Sequence, residues 1–127
     1  MYTVGMRVVM APTMVWDGDI GTVRDIIVGA DDTARYGVAP DNNVFLIYYR
    51  EDELRPVSWK VEVLVDGQWS TNSVRFATQE EAELAGQELL SRWFVPKASR
   101  AAESADPVNY LFNRELFRPE AMRATMQ

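Results

Sequence analysis

The sequence predicts an α+β protein: a small β-barrel over residues 1–57, packed against a β-hairpin plus helix unit over residues 58–127 that ends in a C-terminal helix. Three observations predict it. Short β-like runs alternate with turn-rich segments up to Pro56, a hairpin pattern follows at 59–76, and helical spacing appears after Thr78 and again after Asp106.

In the first lobe the β-like runs are Arg7–Met10, Gly21–Ile27, Arg35–Ala39 and Val44–Tyr49, divided by WDGDIG, GADD and APDNN. Glycine, Asp, Asn and Pro punctuate strands because they accept the backbone angles of tight turns. Strands this short and close suit a small barrel. In VFLIYY, Phe45, Ile47 and Tyr49 share one face and Val44, Leu46 and Tyr48 the other, so both faces are apolar. The outer face calls for cover by the second lobe or by a partner.

In the second lobe Trp59, Val61, Val63 and Val65 alternate with Lys60, Glu62 and Leu64, and Asp66-Gly67 supplies a hairpin turn before a return strand from Gln68 to Phe76. Thr78 with Glu81 three residues on forms a capping box for a helix over 79–94. Ala82, Ala85, Gly86, Leu89, Leu90 and Trp93 lie on its core face, and Leu84 lies among Glu80, Glu88 and Ser91 on the opposite one. An alanine-rich strand is expected over Ala98–Ser104. Asp106-Pro107 reads as an N-cap with proline at the first helical position, opening a helix over 107–118.

Composition narrows the function. The 127 residues are 47% hydrophobic and 25% charged, which allows a packed core. A net charge of -6 disfavours direct nucleic-acid binding, which draws on clustered Lys and Arg. The absence of histidine and cysteine removes Ser-His-Asp and Cys-His catalysis, disulfides and the usual zinc sites. No apolar stretch approaches the roughly 18 residues of a membrane span, so no membrane partner is expected and a cytoplasmic location is.

Two resemblances add to this. Gly5-x-Arg7-Val8, Gly18-x-x-Gly21-Thr22-Val23, Tyr36-x-Val38 and Glu53-Leu54-x-Pro56 resemble the short SH3-like barrels of KOW-type domains, which bind RNA, peptides, methylated lysines or neighbouring domains. Trp59-x-Val61-x-Val63-x-x-Gly67-x-Trp69, Asn72-x-x-Arg75-Phe76-Ala77-Thr78 and Glu80-Glu81-Ala82 resemble small uncharacterised bacteriophage proteins. That second resemblance implies a phage or prophage origin, and with it inhibitors or adaptors of host machinery, anti-CRISPR and other anti-defence proteins among them.

The expectation is therefore a non-enzymatic binding protein, needing no cofactor and no metal, that inhibits or modulates a host protein, such as a nucleic-acid-binding defence complex. Its expected contact surface joins Trp16, Asp17, Asp19, Asp31, Asp32, Tyr48, Glu51, Asp52 and Glu53, with Leu84 as an exposed apolar contact. Complementary charge would give such a surface on-rate and specificity. A nucleic-acid-associated barrel using Arg7, Arg24, Arg35 and Arg50, or a structural virion component, are the alternatives. Arg114 with Arg118 and Met122 with Met126 repeat at a spacing of four, making the C-terminal tail a candidate for self-association.

Overall fold

The computed structural model describes residues 1–10, 19–41, 45–93 and 95–122. The chain divides into two compact units, Met1–Val57 and Ser58–Gln127. Among the described residues no helix is long and apolar enough to cross a membrane.

The first unit is one antiparallel sheet of five strands: β1 (Arg7–Met10), β2 (Ile20–Val28), β3 (Ala34–Pro40), β4 (Ile47–Arg50) and β5 (Leu54–Pro56), in the order β4-β3-β2-β1-β5. Its core is Tyr2, Val8, Met10, Val23, Tyr36, Val38, Tyr49 and Leu54. Apart from Tyr2, which precedes β1, these residues come from the inward-facing positions of the five strands, as alternation requires. Tyr2 stands edge-on to Tyr36 at 5.3 Å and donates its hydroxyl to the Leu54 carbonyl at 2.9 Å, which satisfies a polar atom in the core.

The second unit holds a three-stranded sheet, order β7-β6-β8, from β6 (Ser58–Val65), β7 (Gln68–Thr71) and β8 (Ala98–Ser104). Asp66 and Gly67 both take positive φ, 51° and 76°, as the predicted tight turn demands. Helix α1 (Gln79–Arg92) is capped by Thr78, whose hydroxyl accepts from the Glu81 N–H at 3.2 Å. It lies over β8 and β6. Gly86 permits this approach, because a Cβ there would stand 2.5 Å from the Ser99 hydroxyl oxygen. A second hairpin, β9 (Tyr110–Asn113) and β10 (Arg118–Ala121), completes the unit.

The expected α+β class is corrected by this architecture. Strands occupy about half of the described residues and helix about 15%, in three sheets with a single α-helix, so the protein is mainly β. No closed barrel forms among the described residues: β4 and β5 are the two outer edges of an open sheet. Between them a short 3-10 turn, Glu51–Glu53, turns the chain, and β5 runs only three residues to Pro56, which brings no N–H to a ladder.

The helix expected over 107–118 is a β-hairpin. Asp106 does not cap a helix; its carboxylate meets Arg75 Nε at 3.0 Å. The N–H groups of Asn109 and Tyr110 both donate to the Arg75 carbonyl, and Phe112 is buried beside the exposed Leu111, a strand alternation. Asn113 Oδ1 accepts from the Leu116 N–H at 2.9 Å and Phe117 takes a φ of 50°, so the chain reverses where helix was expected. Pro119 sits in β10, a terminal strand, where a missing N–H is tolerated.

Candidate protein-binding surface

Two of the predicted acidic turns meet in the first unit. The β2–β3 connection closes with Asp32 N–H on the Gly29 carbonyl at 3.0 Å and Gly29 N–H on the Thr33 carbonyl at 2.9 Å. Asp32 occupies the left-handed region, φ 63°, which a short polar side chain tolerates. Asp31 Oδ1 accepts from the Thr33 hydroxyl at 2.6 Å and from its N–H at 3.2 Å. The hydroxyl bond, supported by the backbone one, holds the Asp31 carboxyl below its ordinary range.

Register brings the second turn alongside. Arg35 in β3 pairs directly with Arg50 at the end of β4, and Glu51–Glu53 follow at once. Two like charges facing across a ladder repel. Acids relieve this on one side: Arg50 Nε meets Asp52 Oδ1 at 3.1 Å, and Glu53 lies 3.8 Å from the same guanidinium while accepting the Arg50 N–H at 2.8 Å. Arg35 donates to the Ala34 carbonyl at 3.3 Å and has no carboxylate in ion-pair range among the described residues.

The result is an open groove of about 460 Å³. Asp32, Thr33 and Arg35 line one side, Arg50, Glu51 and Asp52 the other, with Tyr36 between them. The Tyr36 ring is buried and its hydroxyl donates to Glu51 Oε1 at 3.1 Å; the Met1 amino group meets Glu51 Oε2 at 3.3 Å. The carboxylates of Asp32, Glu51 and Asp52 therefore share the groove lining with the Met1 amino group, Arg35 and Arg50, so charges of both signs surround Tyr36 and Arg35 is the least neutralised cation. The arrangement suits a partner surface that carries both basic groups and hydrogen-bond donors.

Not every expected residue joins it. Asp31 stands beside the groove with its carboxylate engaged by Thr33, and Glu53 turns back to cap Arg50. Asp19 precedes β2, where its carbonyl accepts the Met10 N–H. Trp16 and Asp17 lie outside the described residues. Tyr48 is 42% exposed on the outer face of the sheet, its hydroxyl on Asp25 Oδ2 at 2.6 Å. Leu84 belongs to the second unit, where it is half-buried and packs against that unit's core; its expected exposure is corrected. In the tail the expected shared helical face of Arg114 and Arg118 is corrected, since Arg114 pairs with Glu80 and Arg118 starts β10, while Met126 lies outside the described residues.

The groove also uses Arg35 and Arg50, which the sequence assigns to the nucleic-acid alternative rather than to the acidic contact surface, and Tyr36, whose place in an aromatic surface the sequence leaves beside its role in the core. Their signal was the pairing of β3 with β4, and a single sequence does not disclose register. No protein-family model matches the chain, and neither a curated protein nor a solved structure matches it.

Proposed function

We propose that this chain is a non-catalytic binding protein that attaches to a partner protein through the charged groove of its first unit and modulates that partner. The observation that carries the reading is the convergence of Asp32 with Glu51 and Asp52 about Tyr36. Charges scattered over a surface are solvated individually, whereas the acids and bases gathered on this one groove present a patterned field to a partner surface of complementary pattern, with Asp32 the acid left outside the Met1–Glu51 and Arg50–Asp52 pairs. A sequence without histidine or cysteine supports binding over the common hydrolytic chemistries.

The partner class follows from charge and from the likeness to small phage proteins. A chain of net charge -6 suits a host protein whose groove is basic, as in nucleic-acid-binding defence machinery, and the site of action is the cytoplasm. Anti-CRISPR and other anti-defence inhibitors are the model for this behaviour. The test is affinity capture from host lysate with the full chain, washed at low and then high salt and read by mass spectrometry. One stoichiometric protein that elutes as salt rises is the expected result; recovery of nothing above background at low salt would overturn the reading.

One observation favours a second reading. The registers place Arg7, Arg35 and Arg50 on the face that carries Tyr48, the pattern of a nucleic-acid-associated sheet. Asp41 on Arg7, and Asp52 with Glu53 on Arg50, offset two of those three charges, so the protein partner remains the better reading. Salt-sensitive recovery of nuclease-sensitive nucleic acid alone would transfer the case.

A further inference from the structure

The second unit holds an apolar slot of about 200 Å³ that the groove of the first unit does not explain. Its floor is Val61 and Val63 of β6, its helix-side wall is Leu89 with Trp93, and Ser70 and Asn72 stand on its other rim. The slot exists because α1, drawn in at Gly86, lies over β8 and β6 and leaves β7 bare. All four residues of β7 are exposed.

Strand β7 is also a sheet edge, with no further strand beside it among the described residues. The tight Asp66-Gly67 turn makes Val65 and Gln68 a hydrogen-bonded pair, so alternate pairs exchange bonds and the N–H and C=O of Trp69 and Thr71 point outward. Proteins ordinarily blunt such edges with lysine, proline or a bulge. From Gly67 to Val74 the sequence GQWSTNSV carries no charge and no proline, and none of the slot's lining residues is charged.

We propose that this site takes an extended, uncharged peptide of a partner protein, which adds to β7 as a fourth strand and seats one large apolar side chain in the slot. Charge selects this occupant: a basic or acidic side chain would be desolvated in the slot with no counter-ion, at a cost a neutral one does not bear. Size agrees, since an apolar cavity of about 150 Å³ is known to hold a benzene ring. The outward N–H and C=O groups of Trp69 and Thr71, exposed to water in the free chain, offer main-chain pairing that an extended peptide can take up and a free apolar molecule cannot. The Ser70 hydroxyl and the Asn72 amide at the rim add donors for its main chain. This site goes beyond the proposed groove and stands or falls separately from it.

The test is selection of random peptides displayed against the full chain, followed by titration of an enriched peptide with amide hydrogen exchange as the readout. Enriched peptides should share an uncharged extended segment with one Phe, Leu, Ile or Met, and should slow exchange at Trp69 and Thr71. Trp93→Glu at the slot mouth and Ser70→Lys on the edge should each weaken binding roughly tenfold or more, about 1.4 kcal/mol per tenfold. Both sites are exposed, so folding is checked by retention of the wild-type amide spectrum. The proposal is overturned if nothing enriches, if the enriched peptides are charged, or if binding ignores both variants. Indole that fills the slot while no peptide protects Trp69 and Thr71 also overturns it, as does a self-associated chain whose β7 edge is closed by a second copy. Loss of the Asp32 and Glu51 carboxylates should leave peptide binding unchanged, which separates this failure from failure of the groove.

Discussion

Tyr48 lies across Gly37. The two pair directly between β4 and β3, and a Cβ on Gly37 would stand 2.8 Å from the Tyr48 ring, which passes over the strand to place its hydroxyl 2.6 Å from Asp25 on β2. A residue without a side chain on the middle strand is what lets an aromatic ring tie three strands together on the solvent face.

Gly37→Ala should therefore dislodge the ring and break the Tyr48–Asp25 bond. That bond, more than burial or the Asp25 charge, raises the Tyr48 phenol above its ordinary value. A raised phenol contributes stability that is complete below its unfolded pKa of about 10 and is lost as pH rises through the folded value. Ultraviolet titration should show Tyr48 ionising at lower pH in Gly37→Ala and in Asp25→Asn than in wild type. An unchanged Tyr48 titration in both variants would refute the linkage.

Arg7 and Asp41 respond in the opposite direction. Hydrogen bonding to Arg7 foremost, with its charge in support, lowers the Asp41 carboxyl. A lowered carboxyl contributes stability above its unfolded pKa of about 4 and loses it as pH falls through the folded value. The pair is substantially solvent-exposed, so Arg7→Met should cost only about 0.5 kcal/mol near neutrality. Urea unfolding at neutral and acidic pH should show the gap between wild type and variant shrinking on acidification.

The Tyr49 hydroxyl is buried with no hydrogen-bond partner among the described residues, and its phenol is raised, by burial first and by Glu53 and Asp19 after it. Desolvating a hydroxyl without compensation costs more than the group returns. Tyr49→Phe is expected to stabilise the chain by about 1 kcal/mol in urea unfolding. A loss of similar size would show that the hydroxyl is bonded.

Gly86 sets how closely α1 lies on β8. Gly86→Ala improves helix propensity yet drives a methyl group into Ser99, so overpacking should prevail and cost about 1 to 2 kcal/mol. Thermal unfolding measures this. The double variant Gly86→Ala with Ser99→Gly should recover most of the loss.

Much of the fold was legible because its signals are local. Turn residues marked β1 to β4, Asp66-Gly67 fixed the β6–β7 hairpin, and Thr78 with Glu81 placed the start of α1. The C-terminal hairpin was not, because Val108, Leu111, Phe112 and Leu116 fit helical spacing while Tyr110 and Phe112 fit a strand. Tertiary contacts decided: Arg75 takes both Asp106 and the amides of Asn109 and Tyr110. Sheet closure was equally hidden, since the same strand pattern serves an open or a closed sheet. The groove was half legible, in that acids in turns are visible from composition. That Asp32 and Glu51 line one groove depends on Arg35 pairing with Arg50, a register set by the whole sheet.

The central claim is best tested by repeating the affinity capture with wild type beside Asp32→Asn/Glu51→Gln. These substitutions keep the side-chain shapes, and Asn tolerates the left-handed backbone of residue 32. The account predicts that the captured protein binds the variant roughly tenfold more weakly, with a shallower salt dependence. Equal capture by both forms, with unchanged salt dependence, would contradict it and remove the groove of the first unit as the contact surface.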